Sequence, residues 1–90
     1  MTIGFPNPSR YYDATRHAVH FWGHDQSMET SFFISAEALQ QLMPEAAFNE
    51  IALLEAFDRN RARIREAAAR IYGSGSKGGS YDLHACNFLK

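Results

Sequence analysis

The feature that most constrains this chain is a long apolar stripe at helical spacing in its second half. From Glu50 onward the stripe steps by three and four residues through Leu54, Phe57, Arg61, Ile64, Ala68 and Ile71. Residues at that spacing share one face of an α-helix. A helix from Glu50 to Tyr72 would measure about 34 Å. Because that is long for a chain of 90 residues, we expect one end to overhang the sheet or to pack on another chain.

Two helix starts are marked by capping residues. Asn49 is the predicted N-cap of the long helix, where Phe48 would pack on Leu53 as a hydrophobic staple. Ser35 is the predicted N-cap of a shorter helix from Ala36 to Met43, because its hydroxyl can accept a hydrogen bond from a backbone N–H of the first turn. The pattern therefore predicts one short helix and one long helix.

Two runs rich in strand-forming residues precede the helices. Ala18–Trp22 and Met28–Ser35 are joined by the polar segment Gly23–Gln26, which predicts an antiparallel hairpin. Phe33 falls on the more polar face of the second run, where it would cover a second layer or a partner. A last strand of mixed polarity is predicted from Tyr81 to Leu89.

These elements predict a two-layer α+β fold. The order is β-β-α-α-β, with the short and the long helix on one face of a small antiparallel sheet. The length fits a single domain over residues 1–90. Residues 1–10 form an extended lead-in, and residues 73–80 form a flexible Gly/Ser loop. Arg10-Tyr11-Tyr12 is compatible with the start of a further strand.

Composition narrows the function classes. Lys and Arg number 9 against 10 Asp and Glu, a formal net charge of -1 that argues against a generally basic nucleic-acid binder. The single cysteine excludes an internal disulfide framework and an all-cysteine metal site within one chain. No apolar run approaches the ~18 residues that a membrane helix needs, and the first residues lack the pattern of a signal peptide. We therefore expect a soluble, cytoplasmic domain of bacterial type with no membrane partner.

Neither a metal nor a cofactor is predicted. Four histidines are spaced in a way that fits a zinc site poorly: His17, His20, His24 and His84. Gly73-x-Gly75-x-x-Gly78 has the spacing of a dinucleotide fingerprint. It would follow a helix and precede a strand, which is the reverse of the context that the motif needs.

Asp82-x-His84-x-Cys86 is the catalytic arrangement that we weigh. On a strand the three side chains would share a face. Residues two apart lie about 6–7 Å apart along a strand, so the three side chains are not aligned for proton transfer. We therefore predict no catalytic residue. An enzyme that uses Asp82, His84 and Cys86 is kept as a hypothesis behind the two binding functions given below.

The second half of the predicted long helix is rich in arginine. It holds five of the seven arginines: Arg59, Arg61, Arg63, Arg65 and Arg70. Glu55 and Glu66 each precede an arginine by four residues, which is typical of a solvated, ion-paired face. The functional alternative is an anion or nucleic-acid surface, with Tyr11, Tyr12 and Trp22 as stacking groups.

Arg61 differs from the other arginines because it occupies the apolar stripe. A cation there must pair with a carboxylate or with backbone carbonyls, or extend its head to water. We single out five candidate binding residues for the interaction surface of this chain: Arg61, Arg59, Arg63, Tyr12 and Trp22.

Segments spread along the whole chain resemble a known family. They are Phe5-Pro6-Asn7, Tyr12-Asp13, Val19-His20-Phe21, Ile34 to Leu39, Ala56 to Arg61, Ile64 and Ala67 to Tyr72. From about Phe5 to Phe88 the chain resembles the bacterial domain of unknown function 1488 family. The resemblance implies a small α+β domain of proteobacteria with no established activity and no catalytic residue to carry over. Arg61 matches the family's phenylalanine–spacer–arginine motif, whereas Asn87 stands where the family implies an acidic residue.

The sequence therefore favours a non-enzymatic accessory or protein-binding domain that acts through a protein partner or through self-association. The apolar residues Phe33 and Trp22, on the outer faces of their strands, support this hypothesis. The alternative is a weak nucleic-acid or anion binder that uses the arginine-rich half of the long helix.

Overall fold

The computed structural model describes residues 3–26, 28–73 and 80–88. Within them the chain forms four strands, three α-helices and a short 3-10 turn at Ala85–Phe88. The strands are β1 (Arg10–Asp13), β2 (Ala18–Asp25), β3 (Met28–Ser35) and β4 (Ser80–Leu83), and the helices are α1 (Ala36–Leu42), α2 (Glu50–Arg59) and α3 (Arg61–Gly73). The α+β class is confirmed, and the order is β-β-β-α-α-α-β. The predicted Gly/Ser loop falls mostly on residues 74–79, which lie outside the described residues.

The four strands form one sheet in the order β1-β2-β3-β4. Neighbours β1 and β2 are antiparallel, and so are β2 and β3, which confirms the predicted hairpin. The prediction of a wholly antiparallel sheet is wrong, because β4 pairs with β3 in parallel. Between β3 and β4 the chain passes through three helices, and such a crossover is the connection that a parallel pair needs.

The predicted long helix is in fact two helices that meet at Asn60. The backbone of Asn60 leaves helical geometry at φ -122 and ψ 22. Its side-chain Nδ2 donates to the carbonyl of Ala56 at 2.9 Å, taking the acceptor that the next helical turn would use. The same residue starts α3, since its carbonyl accepts from the backbone N–H of Ile64 at 3.0 Å. The spacing of the apolar residues is unchanged across Asn60, so this spacing alone does not reveal the break between α2 and α3.

The predicted helix caps are confirmed, but the staple is not. The Ser35 hydroxyl accepts from the N–H of Ala38 at 3.0 Å, and Asn49 Oδ1 accepts from the N–H of Ala52 at 2.9 Å. Phe48 leaves 58% of its surface exposed, whereas its predicted staple partner, Leu53, is buried. The ring of Phe48 therefore adds little to the core.

Two strands end elsewhere than predicted. β2 runs through Gly23 to Asp25 instead of turning at Gly23, because a strand there lets the N-terminal segment pack close. A Cβ at Gly23 would lie 2.8 Å from Ile3 Cδ1. β4 stops at Leu83, where the side chain of Asn87 accepts from the N–H of His84 at 2.6 Å and turns the chain.

One face of the sheet packs against the helices. The strand residues of this covered face alternate regularly and include Val19, Phe21, Phe32, Ile34, Tyr81 and Leu83. They form one cluster with residues of all three helices, Leu39, Leu53, Phe57 and Ile64 among them. Burial of these side chains is the main source of stability. Within the described ranges, no helix is long and apolar enough to cross a membrane.

Candidate functional site

The second face of the sheet is not covered by any helix of the described chain, and we call it the open face. Pleating directs alternate strand residues to it. Register places Tyr11 beside His20 and His20 beside Phe33. Phe33 and Ala18 are buried, yet they stand outside the cluster that joins the sheet to the helices. An exposed sheet face normally carries polar side chains, so the aromatic content of the open face needs an explanation.

Four rings form a continuous aromatic row across the open face: Tyr11, Trp22, His20 and Phe33. Tyr11 meets Trp22 edge to face, with 5.7 Å between ring centroids. His20 lies 4.2 Å from Trp22 on one side and 4.2 Å from Phe33 on the other. Tyr11 retains 65% of its surface, so one end of the row is exposed. Rings at these separations attract one another, so the row forms a continuous aromatic surface.

Arg16 closes the other end of the aromatic row. It lies in the turn between β1 and β2, where Asp13 Oδ1 accepts from the backbone N–H groups of Thr15 and Arg16. Its guanidinium carbon stands 4.1 Å from the centroid of the Phe33 ring. The same guanidinium lies 3.7 Å from an oxygen of Asp82 on β4. The turn therefore places a cation against the Phe33 ring on the open face, and the neighbouring carboxylates of Asp13 and Asp82 balance its charge.

His20 is held neutral at the centre of the aromatic row. Its Nε2 is buried and has no hydrogen-bond partner among the described residues. Burial lowers the pKa of His20 below its ordinary value. The charges of Asp13 and Glu29 oppose this change and that of Arg16 adds to it. The neutral ring can thus stack between its neighbours without carrying a charge into the row.

The polar rim of the open face is more acidic than basic. Carboxylates stand at three places on it, Asp13, Glu29 and Asp82, against the single guanidinium of Arg16 within the described strands and their turn. Glu29 pairs with His24 at 3.5 Å. A depression of about 260 Å³ beside β4 is lined by Arg16, Ala18, Phe33, Ser35, Asp82, Leu83 and His84. A polyanion would meet repulsion here, whereas a protein surface with small apolar and polar groups would not.

Arg61 belongs to a structural cluster on the helical side. Its Nη2 donates to Asp58 Oδ1 at 2.8 Å and to the carbonyl of Pro8 at 2.9 Å. Arg10 donates two further hydrogen bonds to the same carboxylate. Hydrogen bonding from Arg10 holds the pKa of Asp58 below its ordinary value; burial opposes this and Arg61 adds to it. The cluster ties the lead-in to α2, so the partner expected for Arg61 is present.

The other candidate residues do not form one surface with Arg61. Arg59 is exposed and pairs with Glu55 at 3.2 Å, and Arg63 is exposed on α3. Tyr12 packs against the core cluster on the covered face. Trp22 lies in the aromatic row, on the opposite side of the sheet from α2 and α3. The structure thus separates the arginines from the ring that was expected to stack with them.

The sequence did not single out His20 and Arg16 as binding residues, and it indicated Tyr11 only as a stacking group beside the helix arginines. The signal that could have found the row is strand alternation. Tyr11, His20, Trp22 and Phe33 lie at alternate positions of their strands, and pairing of the strands brings them to the same face. The catalytic arrangement of Asp82, His84 and Cys86 is broken, because the strand ends at Leu83 and Cys86 lies in the 3-10 turn. Among the described residues, no group of three or more His, Cys, Asp or Glu could hold a metal ion.

Comparison with known proteins identifies the family. No curated protein matches the chain. A solved structure at 1.60 Å resolution, of a protein of unknown function from the DUF1488 family of Shewanella loihica PV-4, is 24% identical in sequence. It aligns over 92% of this chain and 94% of its own with a TM-score of 0.81, so the two share a fold. The family model for proteins of unknown function named DUF1488 matches residues 3–84. The chain therefore belongs to the DUF1488 family.

Proposed function

We propose that this chain is a non-enzymatic binding domain whose open face docks on a protein surface. The observation that supports the proposal most strongly is the aromatic row of Tyr11, Trp22, His20 and Phe33 on the side that the helices leave uncovered. Aromatic rings on a sheet face, surrounded by polar groups, are typical of interaction surfaces. A ring such as Trp22 contributes large contact area at low conformational cost.

The alternative function, an anion or nucleic-acid binder, has weaker support. Arg61 is committed to Asp58 and Pro8, and Arg59 is paired with Glu55. The open face, which holds the stacking ring Trp22, has an acidic rim. The alternative predicts binding to a single-stranded oligonucleotide that weakens with salt and with Arg59→Ala plus Arg63→Ala.

Site-specific photo-crosslinking in the producing cell tests the proposal. A photoreactive amino acid at Tyr11 reports on the open face, and one at Ile51 is the matched control. Ile51 is 82% exposed and lies on α2, on the other side of the molecule. We expect discrete protein adducts from position 11 and none of the same mass from position 51. No adduct at position 11, or the same adducts at both positions, would contradict the proposal.

We further propose that the domain works in the bacterial cytoplasm. A solved family member comes from Shewanella loihica PV-4, and the single cysteine fits a compartment that does not form disulfides. Fractionation of the producing cell would place the chain in the soluble cytoplasmic fraction, and its recovery outside that fraction would contradict the assignment.

A further inference from the structure

The depression beside β4 lies at the end of the open face where the strands carry small side chains. Register pairs Ala18 with Ser35 there, so neither side chain fills the space above the sheet. Larger side chains form the walls: Phe33 stands two residues before Ser35 on β3, and Arg16 stands two residues before Ala18 in the turn. The volume of the depression, about 260 Å³, is below the roughly 300–1,000 Å³ of pockets for drug-sized ligands. The depression therefore suits a small metabolite.

The backbone fixes the segment that carries Arg16. Asp13 Oδ1 accepts from the N–H groups of Thr15 and Arg16, and the next residue, His17, has a positive φ of 51°. The carbonyl of His17 accepts from the N–H of Ala36 at 2.9 Å, which joins the turn to the end of β3. The guanidinium of Arg16 is thus held beside the depression before a ligand binds, which lowers the entropic cost of binding.

The polar groups that line the depression have unused hydrogen-bonding capacity. The guanidinium of Arg16 lies 3.9 Å from an oxygen of Asp13 and 3.7 Å from one of Asp82, and both distances are too long for a hydrogen bond. Toward the described residues, the guanidinium N–H groups donate no hydrogen bond. The hydroxyl of Ser35 accepts from the N–H of Ala38 and still has a proton to donate. A ligand can use these donors without displacing a partner in the described chain.

The charges around the depression determine which ligand it can hold. A lone carboxylate would pair with Arg16 but would meet Asp13 and Asp82, and a lone ammonium ion would pair with Asp82 but would meet Arg16. A molecule that carries both charges satisfies both groups. In an α-amino acid the nitrogen and the carboxylate carbon are about 2.5 Å apart, which suits a guanidinium and a carboxylate separated by 3.7 Å. A peptide carries its two terminal charges farther apart.

We propose that this depression binds a free α-amino acid with an aliphatic side chain. Arg16 and Ser35 donate to the carboxylate of the ligand, and Asp82 accepts from its ammonium group. The apolar lining at Ala18 and Phe33 contacts its side chain. This site goes beyond the docking of a protein and does not depend on it, because the ligand occupies only the Arg16 end of the aromatic row.

We expect weak binding, because the depression is open to water. The side chains of Arg16 and Asp82 are 49% and 54% exposed. Exposed ion pairs contribute little to binding, so the expected dissociation constant is on the order of 1 mM.

An NMR titration of the isotope-labelled chain with L-leucine tests the site. We expect saturable shifts of the backbone amides of Ala18 and Ser35, and none at Ile51 on the other side of the molecule. Two analogues of similar shape carry only one of the charges: L-leucinamide lacks the carboxylate, and isocaproate lacks the ammonium group. Each should bind about tenfold more weakly than leucine, because it leaves one charged group of the site unpaired.

Single substitutions assign the two charges. Asp82→Asn should weaken leucine binding about tenfold and should not weaken isocaproate binding, because only leucine has an ammonium group. Arg16→Gln should weaken leucine binding and should not weaken leucinamide binding. The matched controls alter another exposed ion pair, on α2: Arg59→Gln and Glu55→Gln should bind leucine as the unchanged chain does. The amide spectrum of each variant shows whether it is folded.

Shifts that do not saturate up to the solubility limit of leucine would overturn the proposal, and so would equal affinities for leucine and its two analogues. Equal effects of Asp82→Asn and Glu55→Gln on leucine binding would overturn it as well, because the ligand would then lie outside the depression. The proposed docking function fails separately, by giving no protein adduct at position 11.

Discussion

Within the described strands, each face of the sheet carries four rings, and the two sets have different neighbours. On the covered face, Phe21 and Phe32 stack at 5.3 Å, and Phe21 lies 5.1 Å from Phe57 on α2. On the open face, His20 and Phe33 stack at 4.2 Å, and the guanidinium carbon of Arg16 lies 4.1 Å from the Phe33 ring at the end of the row. The covered face is closed by apolar helix residues, whereas on the open face Arg16 contacts Phe33 at one end of the row and Tyr11 at the other end stays exposed. Aromatic content therefore does not by itself mark the core; what covers the rings does.

The adjacent residues Phe32 and Phe33 provide the most direct way to break this comparison. Phe32 is fully buried among Phe5, Phe21 and Tyr81. We expect Phe32→Ala to lower the free energy of unfolding by about 3–5 kcal/mol, because it leaves a cavity in the core. Phe33→Ala should lower it by about 1–2 kcal/mol, because Arg16 and His20 can close over the gap.

Urea unfolding of dilute protein measures the free energy of unfolding of Phe32→Ala and of Phe33→Ala. If Phe33→Ala proves as damaging as Phe32→Ala, the open face is a second core and not a docking surface.

Much of this arrangement can be predicted from the sequence, and the missing parts have physical causes. Local hydrogen bonding fixes the caps at Ser35 and Asn49, so a short window of residues was enough to place them. The break at Asn60 depends on a side chain competing for the carbonyl of Ala56, which leaves the apolar period unchanged. The parallel pairing of β4 depends on the path of the chain through α1–α3, which no local pattern encodes.

Local patterns predict the candidate site only in part, because its remaining features depend on how the strands pair. Strand alternation alone predicts that Phe33 and Trp22 lie on outer faces. The aromatic row was not predicted, because it needs the register of three strands, and register is a tertiary property. Arg16 was missed because its role depends on the β1–β2 turn and its Asp13 cap.

The Asp58 cluster gives the next largest expected effect, on the covered side of the molecule. Asp58→Asn removes the charge that Arg10 and Arg61 share, and we expect a loss of about 1 kcal/mol at pH 7 because the cluster is partly exposed. The pKa of Asp58 is lowered in the folded chain. Its contribution is therefore present above the ordinary value of 3.8 and is lost as the pH falls through the folded pKa.

Thermal unfolding from pH 7 down to pH 3 would show this loss in the unchanged chain and a smaller one in Asp58→Asn. Asp82→Asn, whose carboxylate lies 3.7 Å from Arg16, is the matched control on the open face. A pH dependence identical in the unchanged chain and in Asp58→Asn would show that the carboxylate does not anchor the lead-in.

For His20 we expect a smaller effect on the free energy of unfolding, and one that depends on pH. Its pKa is lowered from 6.5 in the folded chain, so below pH 6.5 the unfolded chain takes up a proton that the folded chain does not. Stability should fall as the pH drops from 6.5 through the folded pKa. The charged groups that act on the ring are Asp13, Arg16 and Glu29.

His20→Phe keeps a stacked ring that does not titrate, and we expect its unfolding curve to be flatter over that pH range. His24→Gln, which alters a histidine at the edge of the face, should retain the slope. If stability depends on pH as steeply in His20→Phe as in the unchanged chain, His20 is not the source of that dependence.

The smallest expected effect belongs to the arginines of the helical side. Arg59→Ala with Arg63→Ala should change the free energy of unfolding by less than about 0.5 kcal/mol, because both side chains are exposed. Loss of a salt-sensitive interaction with a single-stranded oligonucleotide in this variant would move the binding surface from the open face to α2 and α3.

Fluorescence quenching of Trp22 tests the central claim most directly, because it is the single tryptophan of the chain and lies in the aromatic row. Acrylamide reaches an exposed indole and is excluded from one buried in an interface. We predict that acrylamide quenches Trp22 in the isolated chain, because the indole is only partly buried and lies on the face that the helices leave uncovered. Quenching as weak as that of a fully buried indole would contradict the claim that the open face is available for docking.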